Sequence, residues 1–203
     1  MSRWIPYPTT LAGDTVTLVA IDQSHYDVLK SIAADKRIWQ FYAYDNSDTE
    51  KFNLNFEKAL AALESGDQFP FTIIHKSDQR IIGSTRFMDI QPAHRKLEIG
   101  TTWLAPEYWG TAVNLECKLL LLTYCFETLK TFRVQFKTDE TNIRSRKAIQ
   151  KIGGVFEGIL RNDIVRDNGT HRHSAYYSII DSEWTEKKSF LSNLLQEKLS
   201  QKI

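Results

Sequence analysis

Apolar and polar positions alternate with a period of two from Asp14 to Ala20, with Val16, Leu18 and Ala20 on one side, which predicts a strand. The period then lengthens. Val28, Leu29 and Ile32 fit one face of a helix that Asp22 or Ser24 is placed to cap. Phe52, Phe56, Leu60 and Leu63 recur at helical spacing between Thr49 and Ser65, and Gly66 supplies the stop. Between these helices, Arg37 to Asp45 carries Trp39, Phe41, Tyr42 and Tyr44 with neither period and is expected to be irregular. Phe69 to His75 and Arg80 to Ile90 form a predicted hairpin joined by Lys-Ser-Asp-Gln. Pro92 then turns the chain into another strand, Arg95 to Leu104.

The longest apolar stripe follows. Leu115, Leu119, Leu122, Phe126 and Leu129 line one face of a helix from about Ala112 to Leu129, and Leu120, Leu121 and Tyr124 extend it to a second face. Such a helix is expected to be central. Arg133 to Thr138 predicts a short strand, and Asn142 to Ile152 a basic helix stopped by Gly153 and Gly154. Two last strands, Val155 to Arg166 and His171 to Ile180, flank Asp-Asn-Gly, a hairpin signal. Asp181 or Ser182 is placed to cap a final helix with Trp184, Leu191, Leu194 and Leu195 inward. The order is strand, two helices, three strands, helix, strand, helix, two strands, helix: a mixed α/β (α+β) class with about seven strands.

The 203 residues suit one domain over 1–203, its core about 14–181 and its last helix about 182–200. A chain this long buries roughly 70% of its unfolded surface and needs no staple. Lysine and arginine number 26 against 25 acids, so a basic surface for nucleic acid or membrane is not expected. Cys117 and Cys125 lie too far apart on one helix to bridge and are expected to be small buried hydrophobes, which suits a reducing compartment. The start, Met-Ser-Arg-Trp-Ile-Pro-Tyr-Pro, has no signal-peptide core, and no run is long enough for a membrane span. A cytoplasmic protein is expected.

One block changes this picture from fold to chemistry. Leu97 to Asn114 (L-E-I-G-T-T-W-L-A-P-E-Y-W-G-T-A-V-N) predicts a strand ending at Pro106, a Gly-bearing turn at Trp109, Gly110 and Thr111, and a helix opening near Ala112. Unpaired N–H groups and the positive end of the helix dipole converge at such a junction, so a pyrophosphate fits there. On its own the turn is equally an ordinary strand–helix connection.

Together with Asn142 to Gly154 (N-I-R-S-R-K-A-I-Q-K-I-G-G), the block resembles the GNAT N-acetyltransferase superfamily, and E-I-G-x-x-W-L-A-P-E-Y-W-G resembles its RimJ/RimL-type branch. The tail L-R-N…N-G-T…Y-Y-S-I-I-D-S-E-W is similar to that branch too. In the loop pattern Gln/Arg-x-x-Gly-x-Gly/Ala, Gly110 and Ala112 match while Glu107 departs, and Glu107 is therefore expected to point to solvent. The resemblance implies a GNAT fold, with a mixed sheet splayed open in its middle, and acetyl-CoA as co-substrate with no metal. It implies that Trp103 and Leu104 offer backbone groups to the pantetheine arm, that Trp109, Gly110, Thr111, Ala112, Val113 and Asn114 cradle the pyrophosphate, and that Asn142 and Ser145 contact the arm or its sulfur. The positive field of Arg144, Arg146, Lys147 and Lys151 suits the 3′-phosphate, or is simply a solvated face. Asn142 is also an N-cap for the Ser145 N–H.

Amide formation needs a base for the amine and a proton for the thiolate. Glu98 is the candidate base, with Glu157 second; in an apolar cleft its pKa rises. The structural alternative pairs Glu98 with Arg86 or Arg95. Ser145 is the candidate acid, with Tyr176 or Tyr177 in reserve, only one of which faces inward. His171 and His173 share a strand face without a third ligand at suitable spacing, so a solvated pair is expected. The Trp39–Tyr44 patch lines the acceptor mouth by resemblance, or packs the second helix.

The expected activity is acetyl transfer from acetyl-CoA to a primary amine, a small molecule or a protein N-terminus, by direct attack. The family's members often pair, which admits a homodimer. The rival is a non-catalytic acyl-CoA-binding regulatory module. A dinucleotide-binding dehydrogenase lacks its G-x-G-x-x-G here.

Overall fold

The computed structural model describes residues 3–200; Met1 and Ser2, part of the opening stretch read above, lie outside them, as do 201–203. The strands are β1 (Leu11–Ala12), β2 (Val16–Ala20), β3 (Phe69–His75), β4 (Arg80–Gln91), β5 (Lys96–Leu104), β6 (Arg133–Asp139), β7 (Val155–Val165) and β8 (His171–Ile180). The helices are α1 (Tyr26–Ala33), α2 (Thr49–Ser65), α3 (Val113–Thr123), α4 (Ile143–Lys151) and α5 (Trp184–Ser200). The strands form one sheet in the order β1-β2-β3-β4-β5-β6-β8-β7. Every neighbouring pair is antiparallel except β5 and β6.

The eighth strand, against about seven expected, is β1. It pairs through Leu11 and Ala12 alone, too short a run to show a period. The 49–65 helix and the 69–75 strand stand where the pattern put them, and Gly66 closes α2 at φ +82°. Some details differ. Val28 points to solvent, because Leu29 and Ala33 form the inward stripe of α1. Asp22 caps a three-residue 3-10 turn, Gln23–His25, that leads into that helix. α3 is followed by a π turn over Tyr124–Thr128, with the Leu129 N–H on the Tyr124 carbonyl at 3.0 Å. Ahead of α5, the Ile180 N–H donates to the Glu183 carboxylate at 3.3 Å, where a cap by Asp181 or Ser182 was expected.

α3 is central, as its two apolar faces demand. Leu121, Leu122, Cys117 and Cys125 are fully buried in the same cluster as Val16, Leu18, Phe71, Ile73 and Phe87. Glu116 joins them: its buried carboxylate accepts the N–H groups of Asp14, Thr15 and Val16 at 2.7–2.9 Å, and so clamps the start of β2 to α3. At the far edge of the sheet, β7 leaves Val155, Phe156, Ile159, Leu160 and Val165 exposed. No helix among the described residues is long and apolar enough to cross a membrane.

Candidate active site

β5 and β6 pair only over Lys96–Glu98 with Arg133–Gln135. Beyond those residues the strands part, and a cleft of about 560 Å³ opens between them. The divergence has a local cause on the other edge of β5. Its register with β4 slips between Ser84 and Arg86, so that Thr101 and Thr102 together oppose Thr85, and Thr101 takes φ +45°. An extra residue of this kind bends and twists its strand. Three side chains hold the bulge. The Thr85 and Thr102 hydroxyls lie 2.7 Å apart, the Tyr42 hydroxyl donates to the Thr102 carbonyl at 2.7 Å, and Lys118 Nζ donates to the Thr102 hydroxyl at 2.6 Å.

One end of the cleft gathers a helix start and several cations. The strand stops at Leu104 rather than at Pro106, because Pro106–Tyr108 makes a 3-10 turn. Gly110 then takes φ +75°, and a Cβ added there would meet nothing within 4 Å. α3 opens with no side-chain cap on Ala112. By position, the N–H groups of Asn114 and Leu115 have no intrahelical acceptor. The Val113 N–H approaches the Thr111 hydroxyl at 3.3 Å. Cations surround this junction. The Arg144 guanidinium lies 3.9 Å over the Trp109 ring, Lys198 of α5 donates to the Gly110 and Thr111 carbonyls, and Lys151 lines the same wall.

Glu98 stands at the other end, on the last paired residue of β5. It is 3% exposed, and burial pushes its pKa above the usual carboxylate range, against the opposing pull of Lys137 and of a hydrogen bond from Gln135. Gln135 Nε2 donates to it at 2.8 Å, and Lys137 Nζ lies 3.9 Å away. Its partners are therefore on β6, and the alternative pairing with Arg86 or Arg95 is not formed. Arg86 instead donates to Gln68 at 2.9 Å, and Arg95 stacks on Phe132. Gly100 makes room for Glu98, since a Cβ on Gly100 would fall 2.9 Å from the carboxylate and 2.6 Å from the Met88 sulfur.

The other expected residues divide. Trp103, Leu104, Trp109, Gly110, Thr111, Asn114, Asn142 and Ser145 all border the cleft. Asn142 accepts the Ser145 N–H at 3.0 Å, so it is the N-cap of α4. Ala112 and Val113 are buried in the core and contribute no side chain to the cleft. Glu107 is exposed, as its departure from the loop pattern required. Glu157 lies outside the cleft on the exposed side of β7, where bonds from Arg133 and Ser178 hold its pKa low, so it is a poor base. Tyr177 is the inward tyrosine, but it is fully buried and accepts from Arg146 at 2.9 Å. Tyr176 sits beside Asp163, its pKa pushed up to about 12 by burial and by that carboxylate. Neither tyrosine borders the cleft. Both cysteines are free and buried, the Cys117 thiol pushed up to about 12 by burial. His173 accepts the Asn162 N–H at 2.8 Å. Trp39 packs on Trp103 and donates to the Ala33 carbonyl, while Phe41, Tyr42 and Tyr44 line the cleft.

Pattern reading left out Lys118 and Arg172, both buried and both in the cleft wall. Signals for each exist. A lysine between Cys117 and Leu119 interrupts an apolar helix. If His171 and His173 share the outward face of a strand, Arg172 faces in. Burial brings the Lys118 pKa down to about 8.

A family model described as "Acetyltransferase (GNAT) domain" matches residues 15–155. YdaF of Bacillus subtilis (strain 168), provisionally named a ribosomal N-acetyltransferase, is 32% identical over 111 residues, which is 55% of this chain and 60% of YdaF. A GCN5-related N-acetyltransferase from Brucella melitensis superposes with a TM-score of 0.85 at 27% identity, covering 94% of this chain and 86% of that one. RimJ of Mycobacterium smegmatis, solved in complex with CoA-disulfide, shares the fold at TM-score 0.79 and 19% identity, over 96% of this chain and 97% of that one.

Proposed function

Because the chain belongs to the GNAT acetyltransferase family, we propose that it moves an acetyl group from acetyl-CoA to a primary amine, by direct attack and without an acyl-enzyme. The observation that carries this reading is a single cleft joining an uncapped helix start ringed by cations to a buried carboxylate. The likeness to YdaF supports the RimJ/RimL-type branch.

The residues fit a CoA thioester. Free N–H groups at the start of α3, with Arg144, Lys151 and Lys198, suit the phosphates. The unpaired edge of β5 beyond Glu98 offers backbone groups to an extended pantetheine arm, which it can bind as an added strand would bind. When bound, the thioester supplies the activated acetyl carbon.

Glu98 takes a proton from the incoming ammonium or amine, directly or through one water, and its raised pKa brings it nearer working pH. The nitrogen lone pair forms the C–N bond, and any proton then in excess on the nitrogen of the tetrahedral adduct passes to solvent. As the C–S bond breaks, the Ser145 hydroxyl, on the cleft wall, gives its proton to sulfur and recovers one from solvent. Cys117 and Cys125, buried and neutral, take no part.

The test is acetyl-CoA turnover, read as thiol release, over a panel of amines and N-terminal peptides, beside CoA binding. Loss of turnover in Glu98→Gln with CoA affinity kept is the expected result. Full turnover in that variant removes Glu98 from the mechanism. CoA binding with no turnover on any acceptor points to the acyl-CoA-binding module instead.

A further inference from the structure

The acceptor end of the cleft holds a charge that the transfer reaction does not use. Arg172 lies on β8 opposite Ile164 and is 9% exposed. Its Nε and Nη2 both reach one neutral group, the Ser174 hydroxyl, at 3.2 and 3.0 Å. No carboxylate pairs with it among the described residues. The two acids in the cleft wall are engaged elsewhere: Glu98 with Gln135 and Lys137, Asp139 with Thr141 and Arg166. A second guanidinium, the part-buried Arg86, also has no carboxylate partner among the described residues, and its Nε is buried without any acceptor. The charges of both arginines reach Tyr44, on the cleft wall, and that of Arg172 reaches Glu98.

Burying a guanidinium without a counter-charge is costly, and the cost is offset when a ligand brings the missing anion. A guanidinium fork matches a planar carboxylate with two parallel hydrogen bonds. The surroundings favour a small anion. Met88, Ile164 and Tyr44 are apolar or aromatic neighbours in the same wall, and the phosphate-binding cations Arg144 and Lys198 belong to the other end. A polyamine would instead place further positive charge beside Arg172 and Lys137.

We infer that the acceptor is an amine that itself carries a carboxylate, which Arg172 holds while the amine lies at Glu98. The inference rests on the acetyltransferase reading for its amine, but not for its carboxylate. Two sources share this chemistry: a free amino acid, and a peptide N-terminus with an acidic side chain close by.

The experiment uses the full chain and matched pairs. Amino acids whose amine is one to four carbons from the carboxylate are each assayed beside their carboxamides. Peptides beginning Ser-Asp are assayed beside Ser-Asn, with spermidine as the cationic control. Arg172→Met and Arg172→Lys are run in parallel, with thermal melts to show that they fold. Expected is a preference for the acid of each productive pair by roughly 10- to 100-fold in kcat/KM, abolished in Arg172→Met and only partly kept in Arg172→Lys, which retains charge without the fork. The arm that turns over names the source. Equal rates on acid and carboxamide, a preference for spermidine, or an unchanged preference in Arg172→Met overturns the inference.

If no amine turns over, calorimetric titration of the CoA-loaded protein with N-acetylglutamate, N-acetylglycine and N-acetyl-Ser-Asp peptide, each beside its carboxamide form, decides. Tighter binding of an acid that is lost in Arg172→Met upholds the carboxylate site while the acetyltransferase reading fails. Absence of such discrimination overturns the site as well.

Discussion

The two halves of the sheet obey different rules. In β2, β3 and β4 the antiparallel ladder is continuous apart from one slip at Ile73/Ile74, and the fully buried apolar side chains include Val16, Leu18, Phe71, Ile73 and Phe87. Around β5 and β6 the ladder stops after three pairs, and Glu98, Lys118 and Arg172 are buried beside the gap. The first half buries apolar area with every strand paired, which stabilises. The second leaves backbone edges open and buries charge, which destabilises unless a ligand completes it. The candidate site lies where pairing stops, and the paired half supplies the stability that permits this.

Substitutions can break that contrast. The largest effect is expected at Glu98. Glu98→Gln should lower kcat on the order of 10²- to 10⁴-fold, and at neutral pH it should melt higher than the parent. The folded-state pKa of Glu98 is raised above the ordinary carboxylate value of 4.5. The folded protein therefore holds the proton to higher pH than the unfolded chain does, and loses stability as pH rises through that window. The melting advantage of the variant should be present at pH 7 and absent below about 4.5. A variant that melts lower at pH 7 would show that Glu98 also supports the sheet.

In the paired half the reverse is expected. Phe71→Ala should cost about 3–5 kcal/mol in urea unfolding, while kcat of the folded fraction stays near the parent value. A fall in kcat larger than the loss of folded protein would mean that the two halves are not separable.

Lys118 sharpens the comparison, because it is a buried charge on the central helix. Lys118→Met is expected to gain about 1–3 kcal/mol at pH 7. Burial lowers the folded pKa from 10.5 to about 8, so the parent regains stability as pH rises across that interval. The gain should accordingly shrink toward pH 10.5. A gain that does not change with pH would place the effect in packing rather than in charge.

The smallest effect is expected at Gly110. Gly110→Ala has space for its methyl but must hold φ +75°, a conformation costing about 1–2 kcal/mol for residues with a Cβ. A comparable loss in the melt, with weaker CoA binding by calorimetry, is expected. An unchanged melt would mean that the turn relaxes without help from its glycine.

What could be read from the chain follows the range of the physics involved. Periodicity and caps are local, so α2 from Thr49 to Ser65, Gly66 after it, the Lys76–Gln79 turn and the Asn142 cap were all visible in order along the chain. The Trp109–Asn114 junction was visible for the same reason, as strand, glycine and helix start are consecutive. The candidate base was visible as a residue, but its partners were not. Gln135 and Lys137 meet Glu98 only because β6 returns beside β5 after a long connection. Glu157 and the two tyrosines, equally plausible by spacing, were moved out of the cleft by the path of β7 and β8.

The sequence by itself determined the element order from β2 onward, the glycine turn ahead of α3 and the placing of Cys117 and Cys125 inside, since each depends on neighbours within a few residues or on one helix face. Only the tertiary structure decided where β5 and β6 separate, and that Lys118, Arg172 and Lys198 converge on the gap. Those meetings join residues far apart in the chain. They are fixed by the Thr101–Thr102 bulge and the strand order, which no local pattern encodes.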